Sequence, residues 1–133
     1  MLLCGAGKMG GALLNGWLSN GFDPKKISVF EPKPSNWLRS LVKTGLNLNP
    51  TVLKKSDVCI IAVKPQMVQK LLSQSIFLNR SETLFISIAA GVKLQKLNSL
   101  LKGETAIVRV MPNTPATIAK SVSCLIANEY VTE

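Results

Sequence analysis

Gly5-Ala6-Gly7-Lys8-Met9-Gly10 is the stretch that decides the fold. It reads G-x-G-x-x-G, with the apolar run Met1-Leu2-Leu3-Cys4 before it and an amphipathic segment to Asn20 after it. Strand, tight glycine turn and helix is the context in which the pattern carries meaning. The first glycine permits the turn. The second lets backbone approach a pyrophosphate with no side chain between, and the third lets the helix pack close to the strand. The helix N-terminus then offers unpaired N–H groups and partial positive charge to phosphate.

Working outward, the first helix sets Met9, Ala12, Leu13, Gly16 and Trp17 on one face, and Gly21 stops it. Trp17 is expected in the core. Ile27-Ser28-Val29-Phe30-Glu31 is a second strand. Glu31 closes it about 20 residues past the glycine turn, where a dinucleotide fold places the residue that reads the adenosine ribose. A carboxylate there accepts hydrogen bonds from ribose hydroxyls and repels a 2′-phosphate; Lys33 argues the opposite way. Pro32-Lys33-Pro34-Ser35 is a turn, with Ser35 or Asn36 capping a helix whose face is Trp37, Leu38, Leu41 and Val42. A short strand over 46–48 follows, and Asn49-Pro50-Thr51 is expected to start a short helix ending near Lys55.

Val58-Cys59-Ile60-Ile61-Ala62-Val63 is a continuous apolar run, as suits a parallel strand covered on both faces. Lys64-Pro65 breaks it at the C-terminal end, where such sheets bind ligands. Val68, Leu71 and Leu72 mark the next helix. Leu84-Phe85-Ile86-Ser87-Ile88 is a strand that ends in Ala89-Ala90-Gly91, small residues that leave room for a ligand beside backbone. Leu94, Leu97, Leu100 and Leu101 face inward from a helix ended by Gly103. A strand over 106–110 runs into Met111-Pro112-Asn113-Thr114-Pro115, read as a stiff loop, and a last strand spans 122–127. This alternation predicts an α/β fold of the Rossmann-like, doubly wound kind: a mostly parallel sheet with helices on both faces. The five strand-end loops should then open on one rim, where Lys64 can hold a phosphate or ribose oxygen through its charge or its backbone N–H.

Composition narrows the function. The 133 residues are read as one domain, 1–133, with 47% hydrophobic residues for a core. No apolar run nears the roughly 18 residues that span a bilayer, and no signal-peptide pattern is seen. Cys4, Cys59 and Cys124 all fall in predicted strands and read as buried reduced thiols of a cytoplasmic protein. There is no histidine, which removes Ser-His chemistry and His-ligated metals; no metal spacing is present. The net charge of +9 is spread along the chain without a basic run or interleaved aromatics. That favours scattered lysines and an anionic cofactor over a nucleic-acid or membrane partner.

The chain resembles the cofactor-binding domain of the pyrroline-5-carboxylate reductase family. The resemblance rests on Gly5-Ala6-Gly7-Lys8-Met9-Gly10, Ser56-Asp57-Val58 leading to Ala62-Val63-Lys64-Pro65, Ser87-Ile88-Ala89-Ala90-Gly91-Val92 and Arg109-Val110-Met111-Pro112-Asn113-Thr114-Pro115-Ala116. It implies NAD(P)H-dependent reduction of 1-pyrroline-5-carboxylate, a small cyclic imine, to L-proline, the last step of proline biosynthesis. By the same resemblance Gly5, Ala6, Gly7, Lys8, Met9 and Gly10 cradle the pyrophosphate. Glu31 and Lys33 read the ribose end, and Val63, Lys64 and Pro65 contact the middle of the dinucleotide. Ala89, Ala90 and Gly91 border the nicotinamide, with Asn113 and Thr114 near it. The family leans to NADP(H), with NAD(H) the alternative raised by Glu31. The family's C-terminal helical domain, which forms the homo-oligomer and supplies most of the substrate site, is absent from these residues. The chain is therefore expected to be truncated at its C-terminal end, to hold no catalytic residue of its own and to be inactive alone. The competing readings are a Rossmann dehydrogenase of the 3-hydroxyacid or prephenate type, and a non-catalytic dinucleotide- or nucleic-acid-binding module.

Overall fold

A computed structural model describes residues 1–52, 55–74, 82–112 and 122–132. Among them the strands are β1 (Leu2–Cys4), β2 (Ser28–Phe30), β3 (Asn47–Leu48), β4 (Val58–Ile61), β5 (Leu84–Ser87), β6 (Ile107–Pro112) and β7 (Ser123–Ala127). The helices are α1 (Lys8–Ser19), α2 (Asn36–Ser40), α3 (Val68–Leu72) and α4 (Leu94–Leu101). The strands form one sheet in the order β3-β2-β1-β4-β5-β6-β7. Every pairing is parallel except β6 with β7, which is antiparallel. The doubly wound, mostly parallel architecture is thus as expected.

The core follows from the alternation of side chains along the strands. Leu2 and Cys4 of β1 point to one face with Cys59, Ile61, Phe85 and Ile107, where Val68 and Leu72 of α3 and Leu97 and Leu101 of α4 cover them. Leu3 points to the other with Val29 and Ile60, covered by Leu14 of α1 and Leu38 of α2. All of β1 is at zero exposure. A strand of only three residues holds its place because it is sandwiched on both faces and bonded along both edges.

Several local expectations change. In α1 the fully buried residues are Gly10 and Leu14, so the inward line runs one position later than Met9 and Leu13, which are half-buried. The close approach of Gly10 to β1 sets that rotation. Trp17 packs against the core as expected. In the next helix Leu38 is buried, but Trp37 and Val42 are exposed: α2 lasts five residues and tightens to a 3-10 turn at Leu41–Thr44, which breaks the 3.6-residue period. Ser35, not Asn36, is the cap; its Oγ accepts from the Leu38 N–H at 3.2 Å. No helix forms over 49–52; Asn49 has φ +48° and is tied to Glu31 instead. Residues 53 and 54 lie outside the described set. Met111 and Pro112 belong to β6, paired with Cys124 and Ser123, rather than to a loop. Proline is tolerated there because the pairing of β6 with β5 has already ended at Arg109. Cys124 is exposed, not buried, since β7 is the sheet margin; Cys4 and Cys59 are buried, their sulfurs 4.0 Å apart.

Asn128, just past β7, is a buried polar residue that sequence reading did not single out. Its Oδ1 accepts from the Ile107 N–H at 3.0 Å, and its Nδ2 donates to the Thr105 carbonyl at 2.8 Å and to Asn98 Oδ1 at 3.0 Å. The side chain thereby ties β6, α4 and the end of β7 together.

Candidate dinucleotide site

The site forms where β1, β2, β4 and β5 end. Gly5 follows β1 with φ +94°, a left-handed conformation that glycine adopts without penalty, and a Cβ there would come within 2.7 Å of the Ala62 carbonyl oxygen. Gly10 sits in the first turn of α1, where a Cβ would collide with the Gly5 carbonyl oxygen and meet Ala62 Cβ at 3.1 Å. These two glycines let α1 start hard against β1 and β4. Gly7 differs: among the described residues a Cβ there would meet nothing within 4 Å. It caps α1 without a side-chain hydrogen bond, and no acid stands in the first turn. The first N–H groups of a twelve-residue helix therefore face an open margin, with the dipole favouring an anion. A pyrophosphate fits this cradle.

Glu31 adjoins it. Its Oε2 accepts from the Ala6 N–H at 2.9 Å and its Oε1 from the Lys33 N–H at 3.0 Å. Both oxygens are thus engaged by backbone donors of the glycine turn and of the turn after β2. The backbone of Glu31 is held in turn by Asn49. Lys33 is exposed, and so is Arg39, whose Nε donates to the Pro34 carbonyl at 3.3 Å.

Beyond β4, Ala62 and Val63 are half-buried while Lys64 and Pro65 are exposed. Beyond β5, Ala89 is buried and Ala90 and Gly91 are exposed, with Gly91 at φ +74°. The structure thus brings Gly5, Ala6, Gly7, Lys8, Met9, Gly10, Glu31, Lys33, Val63, Lys64, Pro65, Ala89, Ala90 and Gly91 to the C-terminal rim of the parallel strands. Asn113 and Thr114 lie outside the described residues. Arg109 donates from Nη2 to Met111 Sδ at 3.5 Å, while its buried Nε has no hydrogen-bond partner among the described residues. A cleft of about 550 Å³ opens between α3 and α4, lined by Pro65, Gln69, Gly91, Lys93 and Leu100 among others. Sequence reading missed this cleft and Asn49. Among the described residues no group of three or more histidine, cysteine or acidic side chains is placed to hold a metal ion, and no helix is long and apolar enough to cross a membrane.

A parallel sheet with a glycine turn at the first strand and an acid after the second is the geometry of dinucleotide-binding folds, and comparison with known proteins agrees. Residues 1–91 match the family described as NADP oxidoreductase coenzyme F420-dependent. A pyrroline-5-carboxylate reductase of Haemophilus influenzae is 36% identical over 132 residues, covering 97% of this chain and 48% of the relative. Among solved structures, a pyrroline-5-carboxylate reductase from Coxiella burnetii superposes with a TM-score of 0.84 at 28% identity, over 99% of this chain and 50% of that one. A Plasmodium falciparum pyrroline carboxylate reductase with NADP bound gives 0.75 at 26% identity, over 98% and 48%. The chain spans about half the length of the curated relatives it matches. It belongs to the family described as NADP oxidoreductase coenzyme F420-dependent, and its likeness to the pyrroline-5-carboxylate reductases runs through their cofactor-binding half.

Proposed function

We propose that this chain is the NAD(P)-binding half of a pyrroline-5-carboxylate reductase, and that its rim holds the cofactor for reduction of 1-pyrroline-5-carboxylate to L-proline. The observation that carries the reading is the pairing of the glycine cradle with identity of 33–39% to such reductases over almost the whole chain. These matches favour imine reduction over the 3-hydroxyacid or prephenate alternative.

In this reading the N–H groups at the start of α1 and the bare face of Gly7 receive the pyrophosphate. The turn from Glu31 to Lys33 receives the adenosine ribose, Val63, Lys64 and Pro65 the central sugars, and Ala89, Ala90 and Gly91 the nicotinamide. The bound nicotinamide supplies a hydride, and an imine conjugated to a proton is already electrophilic, so positioning matters more than a strong side-chain acid. We assign no catalytic residue to this chain. Residues 1–133 form one domain, with the substrate-carboxylate contacts and the homo-oligomer coming from the helical half of the complete enzyme. The preferred cofactor is NADP(H). Both Glu31 oxygens are bound by backbone N–H groups; Lys33 on that turn and Arg39 of α2, which donates to the Pro34 carbonyl, supply positive charge beside it.

Calorimetric titration with NADPH and NADH, run beside an assay with 1-pyrroline-5-carboxylate, tests this. Binding of NADPH without turnover is expected. Full activity from the isolated chain would overturn the half-enzyme reading, and binding of neither cofactor would overturn the site.

A further inference from the structure

We propose that Asn49 is a positioning residue that keeps the Glu31 carboxylate turned into the protein, and so sets the preference for a cofactor bearing a 2′-phosphate. The proposal rests on the dinucleotide reading above and goes beyond it in naming what controls selectivity at the adenosine end.

Asn49 stands 18 positions after Glu31 and borders it as a strand neighbour would. Its Oδ1 accepts from the Glu31 N–H at 2.9 Å, and its Nδ2 donates to the Glu31 carbonyl at 2.9 Å. Its own N–H donates to the Val29 carbonyl at 2.8 Å, and its φ of +48° aims the side chain back at β2. The amide therefore saturates the Glu31 backbone just where the β2–β3 ladder has run out. With that backbone fixed, the carboxylate spans to the Ala6 N–H on one oxygen and the Lys33 N–H on the other.

An acid at this position ordinarily offers its oxygens to the ribose hydroxyls and repels a 2′-phosphate. Here both oxygens already carry a backbone donor, and the charge is partly compensated by those two N–H dipoles. The exposed cations nearby, Lys33 on the turn and Arg39 on α2, are left to meet a 2′-phosphate. Releasing the Glu31 backbone would let the carboxylate swing outward. It would then accept from the ribose diol of NADH and oppose the phosphate of NADPH.

The test compares dissociation constants of NADPH and NADH for the chain, for Asn49→Gly, for Asn49→Asp, and for Asn49→Gly combined with Glu31→Gln. Glycine tolerates the positive φ but has no amide; aspartate tolerates it and can accept from the Glu31 N–H but cannot donate to its carbonyl. Asn49→Gly should shift the NADPH-to-NADH preference toward NADH by about tenfold or more, the scale of losing charge-assisted hydrogen bonds. Asn49→Asp should shift it at least as far, because its carboxylate opposes the Glu31 carbonyl and adds negative charge beside a 2′-phosphate. Adding Glu31→Gln should cancel the shift, because no carboxylate remains to swing. A purely structural Asn49 would instead weaken both cofactors by the same factor, and an unchanged ratio overturns the proposal; so does a shift that survives in the double variant. If the unaltered chain binds neither cofactor, the dinucleotide reading fails first and takes this proposal with it. Should Asn49→Gly not fold, Asn49→Asp decides: its shift must shrink when Glu31→Gln is added, and a shift of unchanged size overturns the proposal.

Discussion

Strands β1 and β7 are both short and apolar, and they have opposite fates. Leu2, Leu3 and Cys4 are at zero exposure, whereas Leu125 and Ile126, on opposite faces of β7, are 68% and 57% exposed. β1 lies between β2 and β4 with helices above and below; among the described residues β7 is bonded on one side only and covered on neither. An apolar run therefore reports what a strand could bury, while its place in the sheet decides what it does bury.

Thiol chemistry gives the widest test of that difference. Cys124 should react with a thiol reagent at once. Cys4 and Cys59 should react only through unfolding, at least about a thousandfold more slowly. Rapid reaction of all three in native buffer would mean that the sheet centre opens as readily as its margin. Next in size, Phe85→Ala in β5 should cost about 3–5 kcal/mol in urea unfolding, the range for emptying a buried aromatic site.

The glycine cradle contains a smaller version of the same contrast. Gly10→Ala should lose about 1–3 kcal/mol by pressing a methyl onto the Gly5 carbonyl. Gly7→Ala should leave stability within about 0.5 kcal/mol, yet weaken NADPH in titration by about tenfold, because its methyl enters the space assigned to phosphate. Equal effects of the two on stability would dissolve the distinction between a packing glycine and a ligand glycine. Smallest of all, Ile126→Ser should stay within about 0.5 kcal/mol. A loss near that of Phe85→Ala would show β7 to be covered in solution.

Much of the fold was legible because its signals are local. Gly5 to Gly10 carries turn, cradle and helix start in six positions, and the run from Val58 to Val63 announces a strand covered twice. The rim residues could be gathered because parallel strands place every such loop at one end. What escaped depends on contacts made only in the fold. The one-position rotation of α1 toward Leu14 comes from the close approach of Gly10 to Gly5 at the end of β1, and the exposure of Cys124 from its place at the margin. The engagement of Glu31 needed Ala6 and Asn49 at once, separated from it by 25 and 18 positions. Asn49 itself looked like the start of a helix, since asparagine before proline serves turns and caps alike.

Asn49 and Asn128 also share a consequence. A side-chain amide is a peptide group on a tether, and each of these places one where a ladder ends, at β2–β3 and at β6–β7. A slip of either pairing by one residue would strand that amide and turn every side chain of the strand to the opposite face. The two outermost pairings, one of two residues and one exposed on both faces, thus have their alignment keyed by a single asparagine each.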